Sequence, residues 1–218
     1  MMAGSAPGQV GVQRRSFITH LRPIYVYERA ARVAHTLCLG GLSFLFSLFA
    51  VVSGVVLMFQ YLPGTGYANV AGITWILPFG RVIRSVHYWA SQLMVLSVFG
   101  HLGRVFYTRS YQRPRELNWL VGVGLLVGSV ILDFTGYLLR GNQETQAAAS
   151  VAANLLRLVP AAGAALGRIF LGPAANAGSS SASLAVYAWH CAGLPLALGT
   201  LVALHFWRIR KDGITRPL

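Results

Sequence analysis

The chain has 218 residues, of which 55% are hydrophobic and only 11% are charged, with a net charge of +13. Soluble domains carry roughly 25% charged residues, so this composition excludes an ordinary soluble domain and indicates an integral membrane protein. The basic residues cluster at 14–32, 104–115 and 208–216, and the segments between these clusters are nearly uncharged. Alternate basic loops are typical of membrane proteins, so we expect these residues to face the lipid bilayer surface and not a nucleic acid.

Residues 1–29 are predicted to form a basic cytoplasmic tail and surface segment, followed by one membrane domain over 30–218. The tail contains two adjacent arginines in "QRRSFITHL". No short apolar region with a small-residue cleavage site follows them, so we predict no cleavable signal peptide.

Four apolar stretches are long enough to cross a bilayer, at about 33–59, 82–107, 117–139 and 184–207. The turn-rich segment "YLPGTG" ends the first stretch, and the basic segment "RSYQRPRELNW" ends the second. The pattern therefore predicts an all-α fold, an integral membrane four-helix bundle.

The loop at 141–183 is rich in Ala, Gly, Ser and Pro, and its segment "TQAAASVAANLLRL" is predicted to form a short surface helix. Basic flanks mark the cytoplasmic side. The N- and C-termini are therefore expected in the cytoplasm, with the first and third spans running outward and the second and fourth running inward.

Two histidines occur in each of two spans. His87 and His101 are fourteen residues apart, and His190 and His205 are fifteen apart. In a helix, such a spacing returns a side chain to nearly the same face about 21 Å further along. Because these spans run in the same direction, His87 and His190 are expected to face each other near the outer surface, and His101 and His205 near the inner surface.

Facing pairs of neutral imidazoles suit six-coordinate heme iron. We therefore predict two stacked b-type hemes, the outer one bound by His87 and His190 and the inner one by His101 and His205. The alternative is that each histidine packs in the bundle and donates a hydrogen bond to a backbone carbonyl. The match in depth and face favours metal ligands, because ionisable groups inside a membrane are costly.

Glycines repeat the spacing in the other two spans. Gly40 and Gly54 are fourteen residues apart, as are Gly122 and Gly136. Gly54 and Gly136 are expected beside the outer pair of histidines, and Gly40 and Gly122 beside the inner pair. The absence of a side chain lets a flat macrocycle approach the backbone, although small residues also mediate helix packing in membranes.

Four charged residues lie near these pairs. Arg84, Arg104 and Arg210 are each within about a turn or two of a predicted ligand and are candidates to bind heme propionates. Snorkelling of the arginines to the membrane surface explains each position equally well. Asp133 lies one turn from Gly136, where either proton handling or a hydrogen bond within the bundle would account for it.

The segments "IRSVHYW", "GHLGRVFYTRSYQRPRELNWLVGV" and "FTGYLL" resemble the cytochrome b subunit of quinol–cytochrome c oxidoreductases. The end "HFWRIRKDGITRPL" and the fifteen-residue spacing are similar to the short, four-helix cytochrome b6 type. The resemblance covers about 30–218.

The resemblance implies a membrane subunit that is not active alone. Quinol would be oxidised at the outer surface, one electron would pass through both hemes, and quinone would be reduced at the inner surface. The implied partners are a subunit IV-like C-terminal cytochrome b partner, a Rieske iron–sulfur protein and a c-type cytochrome. The whole complex would be a dimer in an energy-transducing membrane, with a bacterial cytoplasmic membrane as the expected one.

The segment "CLGG" at 38–41 resembles the site at which b6 proteins attach an additional heme through one thioether. The resemblance therefore implies a covalent c-type heme at Cys38. The alternative is a buried structural thiol. Cys191 is expected only to pack, and the two cysteines should lie at opposite membrane surfaces, too far apart for a disulfide.

Two positions depart from the family pattern. Leu138 is followed by Leu139, Arg140 and Gly141, where family members usually continue with "LPW" after one residue, and Ala185 replaces a usual arginine. Two other classes of function remain as alternatives: a diheme anchor subunit of a quinone-linked dehydrogenase or hydrogenase, and a transporter or channel with structural histidines. The segments "PRELNW" and "FTGY" argue against the anchor subunit.

Overall fold

The computed structural model of the chain describes residues 37–172 and 184–212. The predicted tail at 1–29, the start of the first predicted span and the last six residues lie outside this part. Every regular element within it is helical, which confirms the all-α prediction. The helices are α1 (Leu39–Met58), α2 (Tyr67–Trp75), α3 (Gly80–Tyr107), α4 (Glu116–Leu138), α5 (Gln143–Arg157), α6 (Gly163–Leu171) and α7, a continuous helical segment over Leu184–Asp212.

The four long helices pack as two neighbouring pairs. α1 packs along α3, α4 packs along α7, and contacts between α3 and α4 join the pairs. Gly54 faces His87 and Gly40 faces His101, so α1 and α3 are antiparallel. We refer to the two ends of the bundle as the His87 end and the His101 end.

By length and composition, three helices in the described part of the chain can cross a membrane, namely α1, α4 and α7. Their apolar side chains point mainly outward, as for Phe44, Leu48 and Val52, which are about half exposed. An outward-facing apolar surface suits a lipid environment. α3 has 28 residues, which is enough to span a bilayer, but polar side chains interrupt its apolar stretch.

The predicted loop helix corresponds to α5, and α6 is an additional helix that the sequence patterns did not indicate. The Asn142 side chain caps α5 by accepting a hydrogen bond from the Thr145 backbone N–H at 3.2 Å. Both loop helices cover the ends of α4 and α7 at the His87 end. There they bury a small core of Leu138, Ala153, Leu171 and Val186.

Leu138 is fully buried in this core. We expect Leu138→Ala to lower the free energy of unfolding by about 2–5 kcal/mol, because the loop helices cannot fill the cavity completely. The thermal unfolding midpoint in detergent measures the effect. Leu120→Ala is the matched control on the same helix, because Leu120 is 61% exposed. Equal losses for the two variants would contradict a core at this end.

Candidate heme-binding site

His87 of α3 and His190 of α7 face each other across the bundle. Their ring centroids are 6.2 Å apart and the ring planes are inclined by 79°. Metal–imidazole bonds are about 2 Å long, and each ring centre lies about 1 Å beyond its nitrogen. Two imidazoles on opposite sides of one ion therefore have centroids about 6 Å apart, which matches the observed separation.

The protonation of His87 follows from its hydrogen bonds. Its Nδ1 lies 2.9 Å from the backbone oxygen of Ala50 and 3.2 Å from the hydroxyl of Ser53. A carbonyl oxygen can only accept, so Nδ1 carries the proton and donates it. The other ring nitrogen, Nε2, then has a free lone pair, which is the state required of a metal ligand.

His190 repeats this arrangement on the other pair of helices. Its Nδ1 lies 3.1 Å from both the backbone oxygen of Leu132 and the hydroxyl of Thr135. Leu132 and Thr135 precede Gly136 by four residues and one residue, which are the same offsets that relate Ala50 and Ser53 to Gly54. The two rings at the His87 end are therefore oriented by equivalent contacts.

The glycines beside these rings lie directly against the imidazoles. A Cβ atom at Gly54 would lie 2.9 Å from Cε1 of His87, and one at Gly136 would lie 2.7 Å from Cε1 of His190. Both distances are shorter than real Cβ contacts. Glycine is therefore needed at both positions by the imidazole itself, in addition to any macrocycle that approaches the backbone.

The second pair occupies the His101 end. A Cβ atom at Gly40 would lie 3.1 Å from Cε1 of His101, and one at Gly122 would lie 3.7 Å from Cε1 of His205. The two histidines are close enough to interact electrostatically. The backbone of Asn118, four residues before Gly122, interacts with His205, but too loosely for a hydrogen bond of good geometry to its Nδ1.

A π-helical turn explains the longer histidine spacing in α7. Trp189–Gly193 is π-helical, and the Leu194 N–H donates to the Trp189 carbonyl five residues earlier. Pro195 follows and has no N–H with which to continue the regular ladder. A π turn accommodates one additional residue. Fifteen residues therefore return His205 to the face of His190, as fourteen do for the histidines of α3.

A polar cluster at the His101 end was not predicted from the sequence. Arg208 and Asp212 approach to 2.9 Å with side chains only 14% and 8% exposed, although Oδ2 of Asp212 makes no hydrogen bond of good geometry. Burial lowers the pKa of Arg115 from its ordinary value, and nearby Asp212 opposes this effect. The side-chain oxygen of Asn118 is also buried without a partner. These groups could bind a polar ligand at this end.

The predicted arginines occupy different environments. Arg84 is half-buried one turn from His87, and Arg104 is half-buried close enough to influence His101. Arg210 is exposed, whereas its neighbour Arg208 turns inward.

The two cysteines lie at opposite ends of the bundle and form no disulfide. Cys38 is exposed, has a left-handed φ of 47° at the start of α1 and precedes Gly40 by two residues. Cys191 is half-buried beside His190. The described residues contain no group of three or more His, Cys, Asp and Glu that could hold a metal ion. A heme iron needs only two protein ligands, so the two histidine pairs are candidate heme sites.

The departure from the family pattern at 138–141 lies beside a tyrosine contact. The Tyr61 hydroxyl donates to the Leu139 carbonyl at 2.9 Å, and the Tyr61 ring stacks on that of Tyr187 with centroids 5.5 Å apart. Burial raises the pKa of Tyr61 to about 12, so its phenol remains a donor at neutral pH. This contact ties the segment after α1 to the end of α4.

The chain is similar to known proteins over most of its length. The model of the family described as cytochrome b/b6/petB matches residues 25–213. The cytochrome b6 of Heliobacterium modesticaldum is 41% identical over 192 residues, covering 85% of this chain and 89% of that protein. The menaquinol:cytochrome c reductase cytochrome b subunit of Geobacillus thermodenitrificans is 32% identical over 206 residues, covering 94% and 92%.

A solved structure, described as a hyperthermophilic respiratory Complex III, is also similar. It has a TM-score of 0.72 and 25% sequence identity, and the match covers 84% of this chain and 49% of the solved chain. This chain therefore spans about half the length of the solved chain that it matches.

The glycine contacts make opposite predictions for the two ends. We expect Gly136→Val to displace the His190 ring and remove the heme at the His87 end, and Gly40→Val to remove the heme at the His101 end. The reduced-minus-oxidised absorption spectrum of native membranes measures both losses. Gly199→Val is the control, because a Cβ atom there meets nothing within 4 Å. Loss of both hemes from each variant would indicate misfolding and contradict the specific contacts.

Proposed function

The chain belongs to the cytochrome b/b6 family of membrane electron-transport proteins, and on that premise we propose that it is the diheme cytochrome b subunit of a quinol:cytochrome c oxidoreductase. It would carry electrons from an outer quinol-oxidation site to an inner quinone-reduction site and contribute to proton translocation. A plastocyanin-like acceptor is an equivalent terminal partner. The 6.2 Å separation of the His87 and His190 rings is the observation that carries the heme proposal, and the proximity of His101 to His205 extends it to a second heme.

The histidines are proposed to hold two b-type hemes, His87 with His190 and His101 with His205. When bound, the hemes supply one-electron redox centres. The protein holds the protons of His87 and His190 on Nδ1, which donates hydrogen bonds to the Ala50 and Leu132 carbonyls, so Nε2 of each ring stays unprotonated. Gly40, Gly54, Gly122 and Gly136 make room for the rings, and Arg84, Arg104 and Arg210 are proposed to bind the propionates.

All four long helices are proposed to cross the membrane, with the His87 end outside and both termini in the cytoplasm. Polar residues that face the bundle reduce the apolar character of α3, but its 28 residues are enough to cross a bilayer. Seven of the twelve arginines and lysines in the described part of the chain lie at the His101 end, and the six others of the chain precede α1 or follow α7. This distribution supports a cytoplasmic His101 end.

The substrates and partners are inferred from the relatives. The names of two relatives and the solved structure describe cytochrome b6, menaquinol:cytochrome c reductase and Complex III. They support quinol and quinone as substrates and a c-type cytochrome as a partner. A Rieske protein and a dimeric complex are proposed in addition, as the family resemblance implies. The names also favour this function over the anchor subunit. A subunit IV-like C-terminal cytochrome b protein is proposed as a further partner, because the chain is similar to cytochrome b6.

The pairing of ligands is tested by single substitutions in the assembled complex. We expect His87→Leu and His190→Leu to remove the same b-type heme, and His101→Leu and His205→Leu to remove the other, because each heme would lose one of the two histidines that would hold it. Redox-resolved absorption spectra of the native membrane distinguish the two hemes. Spectra in which His87→Leu matches His205→Leu and differs from His190→Leu would contradict the pairing. A parent protein without b-type heme would contradict the proposed function.

We also propose a covalent c-type heme at Cys38, which would define a b6-type protein. The exposed thiol lies at the His101 end, two residues before Gly40. A thioether survives denaturation and acid extraction, whereas histidine-ligated hemes are lost. We therefore expect the denatured native chain to carry the mass of one heme and to stain for peroxidase activity.

Cys38→Ser should abolish both signals and leave the two b-type hemes in place, since no histidine has changed. Cys191→Ser is the matched control and should retain the covalent heme. A heme-free denatured chain from the native membrane would refute the covalent attachment, but not the diheme proposal.

A further inference from the structure

Asp133 is an acidic side chain in the interior of a membrane-type helix. It lies in α4, three residues before Gly136, and is half-buried. The other acids in the described part of the chain, Glu116, Glu144 and Asp212, lie at helix ends. A carboxylate within a membrane span is costly and is therefore a candidate for a functional role.

The carboxylate of Asp133 is held by α3. Nε2 of Gln92 donates a hydrogen bond to its Oδ1 at 2.8 Å, and the neighbouring Ser91 hydroxyl lies close by. His87 is near enough for its charge to interact with Asp133. The donor from Gln92 stabilises a carboxylate in a region that supplies few other partners.

Asp133 is much nearer to one histidine pair than to the other. It is three residues from Gly136, which contacts His190, and eleven from Gly122, which faces His205. Along a helix these separations correspond to about 4.5 Å and about 16 Å of rise. A charge at Asp133 therefore acts mainly on the His87 end, because the Coulomb energy falls with distance.

We propose that Asp133, oriented by Gln92, is a positioning residue whose negative charge favours the oxidised state of the heme at the His87 end. This inference rests on the proposed diheme function. Oxidation of a b-type heme adds one positive charge to the iron, so a nearby carboxylate stabilises the oxidised form. The consequence is a lower midpoint potential for this heme than the same histidine pair would give without Asp133, and a more favourable electron transfer toward the His101 end.

The test is a redox titration of the assembled complex with each b-type heme followed by its absorption band. Asp133→Asn removes the charge while preserving the shape and the acceptor for Gln92. We expect the ratio of oxidised to reduced heme at the His87 end to fall on the order of tenfold at fixed ambient potential, which is about 59 mV for a one-electron couple. The heme at the His101 end should shift by less than half as much.

Three further variants separate charge from structure. Asp133→Ala should raise the potential in the same direction as Asp133→Asn, and Asp133→Glu should retain most of the parent value. Glu116→Gln is the control, because this exposed carboxylate lies at the other end of α4 and should leave the heme at the His87 end unchanged.

Several results would overturn the proposal: an unchanged potential in Asp133→Asn, equal shifts of both hemes, or loss of the heme from both neutral variants. The last result would show a structural role for Asp133. If the unsubstituted protein contains two b-type hemes, any of these results would refute only the role of Asp133. If it does not contain two b-type hemes, the proposed function on which this role rests would be refuted.

Discussion

The structure depends on one contact, in which an imidazole lies against a helix at a glycine. In an α-helix, the Ala50 carbonyl accepts the Gly54 N–H, and one of its lone pairs remains available. A side chain at Gly54 would fill the space through which His87 reaches that lone pair. Because glycine leaves the space open, the same carbonyl also accepts a hydrogen bond from the Nδ1–H of His87. The missing side chain and the protonation state of the histidine are therefore consequences of one local geometry.

For this contact to occur at both ends of the bundle, each helix must present its second histidine or glycine on the same face as its first. In α3 and α4, fourteen residues bring the next histidine or glycine back to the same face. α7 reaches the same result with fifteen residues because its π turn over Trp189–Gly193 absorbs one of them. Without that turn, fifteen residues would place His205 about 60° away from the helix face of His190. Pro195 interrupts the regular hydrogen-bond ladder at the position where this correction is needed.

Helix periodicity explains which parts of the site the sequence could predict. The face and depth of His87, His101 and the four glycines follow from a constant rotation and rise, so their neighbours were correctly anticipated. The roles of these residues as heme contacts remain predictions. The Ser53 and Thr135 hydroxyls were missed, because residues of this type beside a glycine are common in helices and only the structure shows that an imidazole reaches them.

Other features of the structure could not be predicted from helix periodicity. The helices α2 and α6 have only nine residues each. Helices this short are marginal in isolation, so their formation depends on the elements they cover. Likewise, the sequence analysis named Arg210 as a candidate propionate contact and did not single out Arg208, which turns inward and pairs with Asp212. Four residues separate these two side chains, so they share a helix face, and neither charge alone indicates that the pair is buried.

α3 is less apolar than the other long helices because one of its faces points into the bundle and carries polar side chains. His87, Gln92 and His101 reduce its apolar character, and contacts place all three toward neighbouring helices. A helix that supplies ligands to a bundle must therefore be less apolar than one that only faces lipid. α1 carries no histidine and is the most apolar of the three candidate membrane spans, with a mean hydropathy of 2.3 against 1.8 for α4 and 1.4 for α7. α3 and α7 carry the histidine pairs, whereas α1 and α4 carry the glycines, and of these two only α4 contains a half-buried carboxylate, Asp133.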